Sequence, residues 1–91
     1  MGQKILSAYN NNGSQKDIGA LAKGSGTNKR IFGAMYQELL KDSTIFSEAL
    51  SKKTPEKVAN AVGKLIQNNE DALEEFIHVL KQSSQNMIVY D

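Results

Sequence analysis

Apolar residues recur along this chain at intervals of three and four, the period of a helix that buries one face, rather than at intervals of two. About six short helices follow from that spacing and from the residues that start and stop them. The first spans residues 3–9, where Ile5, Leu6 and Tyr9 share a face and Asn10-Asn11-Asn12-Gly13 stops the run. Ser14 is placed to cap a second, residues 15–23, with Asp17 near its positive end and Ile18, Leu21 and Ala22 inward. Gly24-Ser25-Gly26 ends it, because glycine enters the left-handed conformation at little cost. Thr27 caps a longer third helix, residues 28–41, in which Ile31, Phe32, Met35, Leu39 and Leu40 fall at helical spacing. Asp42 and Ser43 open a fourth, residues 44–51, with Ile45, Phe46, Ala49 and Leu50 apolar. Thr54-Pro55-Glu56 is the strongest start signal, since proline at the first helical position loses no hydrogen bond and fixes φ. That fifth helix reaches residue 67, with a one-sided stripe of Val58, Ala61, Val62, Leu65 and Ile66 and with Lys57, Asn60, Lys64 and Gln67 opposite. Asn69 caps the sixth, residues 70–82, whose apolar set is Ala72, Leu73, Phe76, Ile77, Val79 and Leu80. No strand alternation convinces before the last few residues, and no repeat appears. The expected architecture is a single all-α domain over 1–91, a compact bundle of about five to six short helices.

A chain of 91 residues with 40% hydrophobic and 23% charged side chains has room for one core and little spare volume for a deep catalytic cleft. It contains no cysteine, which removes disulfides, thiolate nucleophiles and sulfur metal sites and fits a reducing compartment. The longest apolar run is Met87-Ile88-Val89-Tyr90, far short of the roughly 18 residues of a membrane span, and the N-terminus turns polar by Asn10. A cytoplasmic location and no membrane partner are the expectation. The net charge of +1 conceals a gradient: residues 1–30 carry five basic side chains against Asp17, whereas residues 58–91 carry two against five acids. A basic end can release condensed counterions from a polyanion, so any nucleic-acid contact is expected in the first 40 or so residues.

The pairing that points to chemistry is the second and third helices with their tight turn, behind a short first helix. Ser14-Gln15-Lys16-Asp17-Ile18-Gly19, followed by Ala22, Gly24 and Ser25, resembles the positioning helix of the phage-repressor type of helix-turn-helix, over residues 14–31. Two positions depart from that family: no apolar residue separates the turn glycine from the serine, and Ile31 falls one place late. The resemblance implies that a helix-turn-helix within 14–41 sets its second helix into the major groove of duplex DNA. With Ile31, Phe32, Met35 and Leu39 inward, helical geometry turns Arg30, Gly33, Ala34, Gln37 and Lys41 outward, a stripe without an acid. Arg30 suits guanine and Gln37 adenine, while small Gly33 and Ala34 allow close approach. Lys16, Lys23, Thr27 and Lys29 suit phosphates.

Other constellations carry less. Gly24-Ser25-Gly26-Thr27-Asn28-Lys29 lacks the Walker spacing and a preceding strand. His78, the single histidine, lies beside Glu74, Glu75 and Lys81 and reads as an exposed ion-pair partner rather than a metal ligand. No nucleophile and base can be paired, so no catalytic residue, metal or cofactor is expected. Ala72 and Val79 widen the apolar face of the sixth helix around Phe76, and the tail Met87, Ile88, Tyr90 needs a surface to cover. Both point to a homodimer or a protein partner. The leading expectation is a small DNA-binding regulator of the kind mobile elements encode. The rival is a non-enzymatic interaction module, an inhibitor or immunity-type factor, acting through the sixth helix and tail.

Overall fold

A computed structural model describes residues 2–86, with the side chains of residues 3–83, and the tail expectation for Met87, Ile88 and Tyr90 lies outside that range. The six helices are α1 (Gly2–Asn10), α2 (Gln15–Lys23), α3 (Thr27–Leu39), α4 (Ser47–Leu50), α5 (Pro55–Asn68) and α6 (Glu70–Asn86), with no strand among the described residues. Start signals operate as local chemistry dictates. The Ser14 hydroxyl accepts from the Asp17 amide at 3.1 Å, and Asn69 Oδ1 accepts from the Asp71 and Ala72 amides at 2.9 and 3.2 Å. α3 starts differently from expectation: Gly26, at φ 56°, holds the N-cap position, and the turn carbonyls of Ser25 and Gly26 take the Asn28 and Lys29 amides in place of a side-chain cap. The fourth helix shrinks to one turn, because β-branched Thr44 and Ile45 favour helix poorly and the chain there bends to seat Phe46 in the core. The sixth runs past Gln82 to Asn86, with no glycine or proline to stop it.

α5 is the hub. α2 and α3 both pack along it and touch each other little, α4 and α6 pack on its other flanks, and α1 joins α2 to α6. The contact with α2 is backbone on backbone. A Cβ on Gly19 would stand 2.6 Å from the Gly63 carbonyl oxygen, and one on Gly63 would stand 2.6 Å from the Gly19 carbonyl oxygen, so neither position admits a side chain unless the helices part. Glutamines tie the same seam: Gln15 Nε2 donates to the Ile66 carbonyl at 2.7 Å and Gln67 Nε2 to the Lys16 carbonyl at 2.9 Å. Where α3 meets the start of α5, a Cβ on Gly33 would fall inside the Pro55 carbonyl group.

The core is built around Tyr36, Phe46 and Phe76, all fully buried, with Ile5, Ile18, Leu40, Val58, Val62 and Ile66 about them. Tyr36 and Phe76 meet edge to face at 5.3 Å between centroids, a favoured aromatic geometry. The Tyr36 hydroxyl donates to the Ala22 carbonyl at 2.7 Å, so its one polar atom is satisfied at the C-terminal end of α2. Burial pushes the Tyr36 phenol well above its ordinary pKa. The whole measures 33 × 29 × 27 Å, a single compact all-α unit.

Packing turns α2, α3 and α6 differently from what their apolar spacing predicts. Ile31 is not inward but 56% exposed, and Leu21 is 38% exposed, the two exposed large hydrophobics among the described residues. The inward stripe of α3 is Gly33 and Tyr36, continued by the expected Leu40 at its C-cap, with Phe32, Met35 and Leu39 half-buried beside it. A helix can turn only one stripe to its neighbours, and the stripe that buries a tyrosine ring and brings α3 onto the α5 backbone displaces the one that would bury Ile31. On α6, Ala72 and Phe76 are fully buried and Val79 is half-buried, so the breadth of that apolar face serves the intramolecular core and leaves Ala72 and Phe76 unable to meet a partner.

Candidate nucleic-acid interface

The eight residues expected to hold DNA do not share one surface. Gly33 is buried against Pro55, and Gln37 turns back to donate from Nε2 to the Lys53 carbonyl at 3.1 Å, so neither belongs to an outward reading stripe. This overturns the assignment of Gly33 to groove approach and of Gln37 to adenine, and the cause is the rotation of α3 that buries Tyr36. Lys29 is half-buried on the inward side of the first turn of α3. Thr27 and Arg30 are exposed, and the Arg30 guanidinium lies 4.0 Å from Glu56 on α5. Lys41 follows the end of α3 and sits 3.9 Å from Glu38. The exposed residues of α3 are therefore Thr27, Asn28, Arg30, Ile31, Ala34 and Glu38, which include an acid and an isoleucine.

Lys16 and Lys23 stand elsewhere, and they stand together. Both flank the seam between α2 and α5: the Lys16 carbonyl takes the Gln67 amide, and the Lys23 stem lies directly on Gly63. The strip of α5 beside that seam exposes Lys57, Asn60 and Lys64, with the two lysines two turns or roughly 10 Å apart. On the far side of the strip, Lys53 and Lys64 rim a shallow groove of about 370 Å³ between α4 and α5, and Lys53 Nζ donates to the Glu48 carbonyl at 3.1 Å. Folding thus collects Lys16, Lys23, Lys53, Lys57 and Lys64 from three separate stretches of chain around one helix. Acids stand among these lysines as well: Glu48 lines the same groove, Glu56 precedes Lys57 on α5 beside Arg30, and exposed Asp17 follows Lys16 on α2. Glu70, Asp71, Glu74 and His78 are exposed on α6, whose first residue follows the end of α5 by two positions.

No protein-family model matches this chain, and neither does any curated protein or solved structure. Among the described residues, no three histidine, aspartate or glutamate side chains converge on a point where a metal ion would sit, and no helix is long and apolar enough to cross a membrane. A second cleft, about 290 Å³, opens between α1, the end of α2 and the Gly24-Ser25-Gly26 turn, with Lys4 and Asn28 at its edge and Leu21 and Phe32 in its wall. Both clefts fall at the small end of ligand pockets. Lys57 and Lys64 were legible in the sequence as the polar side of the fifth helix. What hid their grouping with Lys16 and Lys23 is a separation of some forty residues that only the α2–α5 seam closes.

Proposed function

We propose that this chain is a small, non-enzymatic DNA-binding domain that holds the duplex by its phosphates along the α5 face. The observation that carries the reading is the gathering of lysines from three stretches of chain around α5, with Lys23 on Gly63, Lys16 at Gln67, Lys57 and Lys64 exposed on the helix and Lys53 across the groove from Lys64. Ammonium groups on flexible stems suit phosphate oxygens and read no base, so the expected binding is weakly sequence-dependent and strongly salt-dependent. Thr27 and Arg30, at the start of α3, are the remaining candidates for contact beyond the backbone.

Fluorescence anisotropy of a labelled random duplex, titrated across salt, tests this directly. Four to five phosphate contacts give a slope of log affinity on log salt of roughly −4, and the Lys57→Ala, Lys64→Ala double variant should make it shallower by about 2. Absence of binding at low salt by the folded protein, or an unchanged slope in the double variant, refutes the proposal. Gln37→Ala should leave the slope untouched, since that side chain is engaged with Lys53.

A further inference from the structure

The solvent face of α3 is self-complementary, and we infer that it pairs with the same face of a second copy of this chain. Ile31 is the most exposed large apolar side chain among the described residues, at 56%, and small Ala34 and half-buried Met35 adjoin it on the same helix. An isologous contact requires a patch that matches itself under a two-fold rotation. Placing the axis at Ala34, with the two α3 helices antiparallel, sets each residue n opposite residue 68 − n. Arg30 then faces the second copy's Glu38, and the second copy's Arg30 faces Glu38, so two opposite-charge pairs form where a parallel arrangement would form none. Ala34 meets its own counterpart at the axis, where a small side chain permits close helix approach, and Ile31 is covered on each side.

The groups involved are free to re-pair. The Arg30–Glu56 and Glu38–Lys41 contacts lie at 4.0 and 3.9 Å between exposed side chains, geometry that contributes little in water. Guanidinium has five donors, so Arg30 can keep Glu56 while reaching across the axis. A single pair of helices about 20 Å long buries less than the standard interface, so the dimer is expected to be a weak one that forms only at high protein concentration. The contact shares Arg30 with the proposed DNA surface but uses none of the α5 lysines, so dimerisation is measured on the protein without DNA.

Sedimentation equilibrium of the full chain from about 10 μM to 1 mM, the concentrations at which weak complexes form, is the test. The parent should pass from monomer to dimer across the range, and Ile31→Glu should stay monomeric with an unchanged circular dichroism spectrum. Arg30→Glu and Glu38→Arg should each weaken dimerisation about ten-fold, because every reversal creates two repulsive pairs. The double reversal Arg30→Glu, Glu38→Arg should return the affinity to within about three-fold of the parent, which a merely local role for either residue would not produce. A parent that remains monomeric at the highest concentration overturns the inference. So does a dimer that survives Ile31→Glu, or a double reversal no better than the singles.

Discussion

Replacing Gly33 by alanine separates the observed packing from helix propensity, because the two predict opposite signs. At an exposed position inside a helix the change to alanine stabilises by about 1 kcal/mol. At Gly33 the new methyl would fall inside the carbonyl group of Pro55 and 2.8 Å from its Cα, where carbon contacts ordinarily stand at about 3.5 Å or more. These are backbone atoms at the start of α5, so nothing flexible can give way, and α3 must lift off by on the order of 1 Å. Overpacking of this kind costs up to about 3 kcal/mol. Lifting α3 also strains the 3.1 Å bond from Gln37 to the Lys53 carbonyl, worth about 1 kcal/mol. Offsetting the propensity gain leaves a net loss of about 3 kcal/mol, or a fall in Tm of roughly 12 to 24 °C for a domain of this size. Against a total stability of roughly 5 to 14 kcal/mol for such a chain, the variant stays folded enough to measure. Urea denaturation followed by circular dichroism gives the difference, with Ala34→Gly on the exposed side of the same helix as reference, expected to lose about 1 kcal/mol. A Gly33→Ala protein as stable as the parent would mean that α3 does not rest on the Pro55 carbonyl, and the facing of Tyr36 and Ile31 would have to be reassigned.

Tyr36→Phe should cost about 1 to 2 kcal/mol by urea denaturation, since it leaves the buried Ala22 carbonyl without the 2.7 Å donor. Tyr36 also sets a pH limit. Its folded pKa is raised by burial, so below about pH 10 the phenol is protonated in both states and contributes no pH dependence, whereas above that only the unfolded chain ionises. Stability should therefore fall by about 1.4 kcal/mol per pH unit above pH 10 from this group alone, and Tyr36→Phe should remove that component of the slope in a series of melts. Ser43→Ala should be neutral or stabilising by up to about 1 kcal/mol, because the Ser43 hydroxyl is buried and meets no partner among the described residues; a clear loss in the same assay would reveal one. Gln15→Ala should cost about 1 kcal/mol by freeing the Ile66 carbonyl near the end of α5, and combining it with Gly19→Ala should give a non-additive loss, as both act on the α2–α5 seam.

Local chemistry made much of this fold readable. Ser14 with Asp17, the Gly24-Ser25-Gly26 break and Asn69 ahead of two acids bound α2 and open α6 as their side chains dictate, because a cap needs only neighbours within four residues. The stripe of α5 was equally plain: Val58, Val62 and Ile66 are buried as their spacing requires. Facing failed on α3, where two apolar stripes overlap. Ile31 and Tyr36 lie about 140° apart on the helix, so burying one exposes the other, and hydrophobicity alone favours the isoleucine. The choice depends on a hydrogen bond to Ala22, an aromatic contact with Phe76 and the approach of the Pro55 backbone to Gly33, each of which needs a partner outside the helix.

The candidate site divides along the same line. Residue type and local position showed that Lys57 and Lys64 lie on the polar side of a helix, and that Lys16 and Lys23 lie on another. That Lys16 and Lys23 come to border the helix that carries Lys57 and Lys64 was decided by Gly19 meeting Gly63, two glycines that within their own helices read only as weak points. A glycine's contribution is set by what approaches it, and that distance is a property of two helices rather than of one. By itself the sequence determined which segments are helical and where most of them begin. Which faces meet, which lysines become neighbours and which isoleucine is left outside were decided by tertiary packing, because those outcomes depend on volumes and backbone distances summed across elements far apart in the chain.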